Sequence, residues 1–162
     1  MIHLARMTEA EFQTYLNAAI DDYAQEKVKA GNWHPTEARQ KSEASYQQLL
    51  PEGLASQNQY LFSITLTDAA TDTATTVGMI WFAVQTDQPQ PAAFIYDFII
   101  QEPFRRRGYG QQALLAIEAQ VQALGLKAIG LHVFGHNSGA IALYQKLGYE
   151  VTNLNMVKKL RG

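Results

Sequence analysis

The stretch "AAFIYDFIIQEPFRRRGYG", residues 92 to 110, runs from an apolar segment into three arginines and two glycines within one line. Its first nine residues, Asp97 apart, are aromatic, β-branched or small, the composition of a strand, and Pro103 just beyond is compatible with pairing ending there. After the glycines, Leu114, Ile117, Val121 and Leu124 recur at steps of three, four and three, and Gly125 follows as a stop. That spacing predicts a helix from about 108 to 124. A strand that delivers glycines to a helix start makes an anion site by geometry. The first N–H groups of the helix have no internal acceptor, and the macrodipole adds partial positive charge. Gly108 and Gly110 let a ligand approach the backbone closely, and Arg105, Arg106 and Arg107 would neutralise more than one phosphate.

Working outward, "YLFSITLT" (60–67) and "TVGMIWFAV" (76–84) have the same strand composition as 92–100 and are joined to it and to each other by short polar links. Three successive antiparallel strands follow, with "DAATDTATT" (68–76) as a hairpin loop. Towards the N-terminus, "MIHLARM" reads as a short strand, and Thr8 and Glu11 have the spacing of a capping box. Phe12, Leu16, Ala19 and Tyr23 then give a helix one apolar face, up to about Gly31. A second helix is expected over 35–50, from Pro35 to "LLPEG". Beyond residue 124, "KAIGLHVF" (127–134) reads as a strand, "NSGAIALYQKL" (137–147) as a short helix closed by Gly148, and "YEVTNLNMVKKL" (149–160) as a final strand or hairpin. The order β-α-α-β-β-β-α-β-α-β-β predicts an α/β sandwich with a mixed, mostly antiparallel central sheet between layers of helix.

At 162 residues the chain is long enough for one domain, residues 1–162, with its own core. Apolar residues at 47% and charged ones at 17% exclude a disordered tail. The absence of cysteine excludes thiolate chemistry and Cys-based zinc sites. No leader pattern or long apolar run occurs, so a cytoplasmic protein with no membrane partner is expected. A net charge of -2 argues against a nucleic-acid partner, whose binding rests on many phosphate contacts, so the anion site must be local.

Two motifs in this order resemble the GNAT superfamily of acetyl-CoA-dependent N-acetyltransferases. Arg105, Gly108 and Gly110 match its Arg/Gln-x-x-Gly-x-Gly/Ala signature; Asn137, Tyr144, Gly148 and Tyr149 match its second signature. Where the family often has Pro, one position before Pro103, this chain has Glu102. The resemblance implies a GNAT-like three-layer fold with acetyl-CoA as cosubstrate. It implies that backbone N–H groups of residues 105 to 110, Tyr109 among them, grip the diphosphate. It further implies that the backbone of Phe98, Ile99 and Ile100 pairs with the pantetheine arm, that Asn137 hydrogen-bonds that arm, and that a bulge opens the sheet. Members commonly pair through a sheet edge or their C-terminal strands, so the resemblance also implies a homodimer.

The resemblance gives Tyr144 the role of general acid, and a phenol with a reference pKa of about 10 stays protonated to perform it. Packing of the short helix against Leu147 is the other account of Tyr144. For the base, His132 in "LHV" is of a residue type with a reference pKa of about 6.5 and stands where some members carry Glu; a strand histidine bonded to a neighbour is the alternative. Asp97 is the other candidate base, but strand alternation places it opposite Tyr96 and Phe98 unless a bulge intervenes. His132 and His136 lack a third ligand for a metal. The expected activity is acetyl transfer to a primary amine of a small molecule or protein. A non-catalytic acyl-CoA sensor of the same fold is the competing account, and the loop lacks the longer pattern of a nucleotide-binding P-loop. Trp33 and His34 are expected to pack a helix junction.

Overall fold

A computed structural model describes residues 1–162. The chain divides into two compact units, Met1–Leu131 and His132–Gly162. The first unit contains β1 (Ile2–Arg6), α1 (Glu9–Lys29), α2 (Ala38–Leu49), β2 (Gln59–Asp68), β3 (Thr73–Gln85), β4 (Ala92–Ile100), α3 (Tyr109–Ala123) and β5 (Ile129–Leu131).

The start of α1 is fixed by its sequence: Glu11 N–H donates to Thr8 Oγ1 at 3.2 Å, and Thr8 N–H donates to Glu11 Oε1 at 2.9 Å. Glu9 and Glu11 in its first turn and Lys27 and Lys29 in its last complement the macrodipole. Its buried face contains Phe12 and Ala19 as expected, with Ile20 and Ala24 beside them. The second helix begins at Ala38 rather than near Pro35, because residues 35–37 form a turn. Ser42 Oγ donates to the Ile20 carbonyl at 2.8 Å, which ties α2 to α1 where its apolar face is thin.

The five strands lie in the order β1-β2-β3-β4-β5, antiparallel except for the parallel pair β4–β5. Pairing of β2 with β3 continues to Asp68↔Thr73, so the hairpin turn is only 69–72, shorter than the 68–76 expected. Val77 to Ala83 of β3 are buried without a break, so both faces of the sheet are covered. On one face Met79, Trp81 and Leu61 pack with Met7, Phe12 and Leu50, bordered by Tyr15 and Leu16 of α1 and Tyr46 of α2. Residues of opposite parity, Phe62, Ile64 and Ile80, are buried as well, as are Ala113, Leu114, Ile117 and Val121 of α3. That helix lies against β1 and β4, completing helix, sheet and helix layers.

The second unit holds α4 (Ser138–Lys146), with Asn137 as its cap and Gly148 at φ +98 after its end. Two sequence expectations fail here. The strand expected over 127–134 is limited to Ile129–Leu131, so His132 lies past its end. The segment 149–160 forms no strand, and Leu154 and Met156 are 76% and 91% exposed. Alternation alone cannot make a strand without a paired edge, and the sheet ends at β5. No helix is long and apolar enough to cross a membrane.

Candidate functional site

The opening stretch is reshaped by one extra residue. Trp81 pairs with Asp97 and Phe82 with Ile95, so Tyr96 is inserted in β4 as a bulge. Strict alternation would place Tyr96 and Asp97 on opposite faces; the bulge brings both to the face covered by α1 and α2. There the Tyr96 ring lies 4.8 Å from that of Trp81, and Asp97 Oδ2 accepts a hydrogen bond from the Tyr15 hydroxyl at 2.7 Å. Asp97 Oδ1 accepts from Phe98 N–H at 3.0 Å. Burial holds the Asp97 carboxyl above the ordinary carboxylate range, although both hydrogen bonds favour its ionised form. The carboxylates of Asp22 and Glu26 push it the same way as burial. Burial, followed by the adjacent carboxylate, drives the Tyr15 phenol far up, so it acts as a donor and stays neutral. Tyr15 was not among the candidate residues. Its signal is a polar-tipped aromatic beside Leu16, on the buried side of α1.

The bulge coincides with the end of the β4–β5 ladder. Ala93↔Ile129, Phe94↔Gly130 and Ile95↔Leu131 pair, and β4 has no β5 partner from Tyr96 onward. Gln101 N–H donates to the Val77 carbonyl at 2.8 Å, so Gln101, and by alternation Ile99, turn their main-chain groups towards β3. Phe98 and Ile100 therefore face the open edge, where the Ile100 carbonyl accepts from Arg105 Nε at 2.7 Å. Of the three residues expected to offer their backbone, Ile99 is the one directed inward.

A single turn of 3₁₀ helix at Glu102–Phe104 carries the chain from β4 into the arginine loop. Arg106 has φ +62 and Gly108 has φ +80, both left-handed. Gly108 caps α3 with no side-chain hydrogen bond, and no acidic residue occupies the first turn. The first helical bond is from Gln112 N–H to the Gly108 carbonyl at 3.2 Å, so the N–H groups of Tyr109, Gly110 and Gln111 have no helical acceptor. The start of α1 is closed by its own glutamate; that of α3 is left open beside three arginines. A Cβ on Gly108 would meet no atom within 4 Å, so glycine serves the backbone angle there rather than space inside the protein. Arg106 and Arg107 are exposed and join none of the ion pairs of the chain.

In the second unit the His132 ring meets Phe134 edge-on at 5.1 Å, and Phe134 stacks on His136 at 5.6 Å. Asn137 Oδ1 accepts from Ala140 N–H at 3.3 Å, which leaves its carboxamide nitrogen outside the cap. The rings of Tyr144 and Tyr149 are 5.5 Å apart, and Tyr149 N–H donates to the Tyr144 carbonyl at 3.0 Å. No three His, Asp or Glu side chains converge as a metal site would require.

The sequence model described as "Acetyltransferase (GNAT) family" matches residues 26–149. The chain is 40% identical to the uncharacterized N-acetyltransferase YycN of Bacillus subtilis, over 98% of this chain and 99% of that one. The YycN crystal structure superposes with a TM-score of 0.86 and full coverage of both chains. YdgE of the same organism, also an uncharacterized N-acetyltransferase, is 38% identical over 97% of both chains. At 15% identity, AAC(6')-Iy in complex with the bisubstrate analog CoA-S-monomethyl-acetylneamine shares the fold, with a TM-score of 0.64 over 100% of this chain and 99% of its own. With the open helix start, the β4 edge that has no β5 partner beyond the bulge and these relatives together, the chain belongs to the GNAT acetyltransferase family.

Proposed function

We propose that the protein transfers an acetyl group from acetyl-CoA directly to a primary amine, its 162 residues acting as one catalytic domain. One observation carries this reading: β4 has no β5 partner from the bulge onward, immediately before an uncapped, acid-free helix start flanked by Arg105, Arg106 and Arg107. Three free N–H donors and three guanidinium groups fit a diphosphate, and the Phe98 carbonyl and Ile100 N–H on the unpaired edge fit an amide-bearing arm. A coenzyme A analogue bound to a protein of this fold supports the assignment. Acetyl-CoA supplies the acetyl group as a thioester.

Asp97 takes the base role. Its carboxyl is buried, its proton affinity is raised, and it lies on the face of α1 and α2, where it can accept a proton from the acceptor directly or through one water. His132 is exposed, past the end of β5. Tyr144 provides the proton for the departing sulfur. Asn137 offers its carboxamide nitrogen to the arm while its oxygen caps α4.

Gly108→Val should weaken acetyl-CoA binding at least about tenfold in calorimetry, because a β-branched residue resists the left-handed angle that aims the loop. Unchanged affinity would remove the diphosphate assignment. Tyr144→Phe should lower kcat about 100-fold with acetyl-CoA affinity intact; a variant with full turnover would take the acid role from Tyr144. Incubation with acetyl-CoA and an amine and peptide library, read by mass spectrometry, tests the activity itself. Tight cofactor binding with no acetylated product would identify a sensor instead.

A further inference from the structure

We propose that the preferred acceptor carries two cationic amines, one presented to Asp97 and the other held by aromatic rings and the carboxylates of Asp22 and Glu26 on α1. This rests on the acetyl-transfer reading above and names the acceptor class for the same site. At about 100° per residue, Tyr15, Asp22 and Glu26 lie within about 40° of one another around the helix. Tyr15 at one end of that stripe touches Asp97 at 2.7 Å. Asp22 and Glu26 follow about 10 and 16 Å along the axis. Both are exposed, and the ion pairs of the chain, Arg39 with Asp21 and Glu43 and Lys41 with Glu37, leave both without a partner. Burial raises the proton affinity of Asp97 and Tyr46, and the charges of Asp22 and Glu26 add to it at both.

The same face carries a continuous run of rings. Tyr96 and Trp81 are 4.8 Å apart, Trp81 and Tyr46 6.1 Å, Tyr46 and Tyr23 6.1 Å, and Tyr23 and Trp33 5.5 Å. Trp81 is buried and the other four are at least partly exposed, so ring surface borders solvent along this run. Such a surface takes an alkyl chain along its length and an ammonium over its faces. The protein provides its own example, with Lys27 Nζ 5.5 Å from the centre of Tyr23 and 5.8 Å from that of Trp33. An acceptor with a single charge forgoes the Asp22 and Glu26 contacts, and one bearing a carboxylate is repelled by them.

The experiment compares kcat/KM for 1,4-diaminobutane and spermidine with that for n-butylamine, in the wild type and in Asp22→Asn/Glu26→Gln. The polyamines should be preferred at least about tenfold in the wild type, the preference should shrink as salt is raised, and the ratio should approach one in the double variant. Equal use of mono- and diamine, or a preference retained by the variant, would overturn the proposal and leave acetyl transfer standing. Calorimetry of spermidine on the CoA-saturated protein decides the matter if no amine is acetylated. Binding that the variant loses supports the two-cation site even as the enzymatic reading fails, and binding that is absent or unchanged overturns the site.

Discussion

Gly78→Ala is expected to lower the melting temperature by about 10 °C and to weaken acetyl-CoA binding in the fraction that still folds. A Cβ on Gly78 would stand 2.1 Å from the Ile99 carbonyl oxygen and 3.1 Å from Ile100 Cα, both backbone atoms. No rotamer relieves a clash with backbone, so β3 and β4 must separate. The cost of such overpacking is about 3 kcal/mol. The strain falls at the end of β4, two residues before the turn into the arginine loop, so the damage is not confined to stability. Thermal melts followed by circular dichroism, with cofactor titration below the transition, read both effects. A melting temperature within 2 °C of wild type, about 0.5–1 kcal/mol, would mean that the strands yield without cost.

Asp97→Asn should reduce kcat/KM by about 100-fold or more, the range over which a positioned base acts. The wild-type rate should fall as pH drops through a value above the ordinary carboxylate range, because protonated Asp97 cannot accept a proton. Asparagine removes that acidic limb. Stability moves in the opposite sense. Folded Asp97 holds its proton more tightly than the unfolded chain does, so wild-type stability declines as pH rises between the ordinary carboxylate value and the raised one. The variant loses that slope. It also has a single side-chain oxygen for the two donors that Asp97 serves, Tyr15 and Phe98 N–H. Melting curves across pH separate this stability term from the kinetic one, and a variant with wild-type turnover would return the base role to His132.

The parts of this molecule governed by neighbours in sequence were legible there. Thr8 and Glu11 close their box three residues apart, Gly125 stops α3 where expected, and the three long strands announce themselves by composition. The arginine loop was legible for the same reason, since its glycines answer to local backbone angles. The bulge at Tyr96 was not, because it is a mismatch between two ladders, and the residues of β4 alone carry alternation that contradicts it. Tyr15 was hidden likewise, as its partner lies 82 residues away. At the C-terminus the alternating residues after Tyr149 satisfy the strand pattern, but a pattern states which face could be buried and not whether an edge is free to pair.

The three rungs that join β4 to β5 form the short arm of a fork. Backbone opening is measured against what must be broken, and here it is a few hydrogen bonds at one edge, while β3 is anchored on both faces by buried side chains. The free energy needed to widen the fork is thus a small part of that needed to unfold the protein.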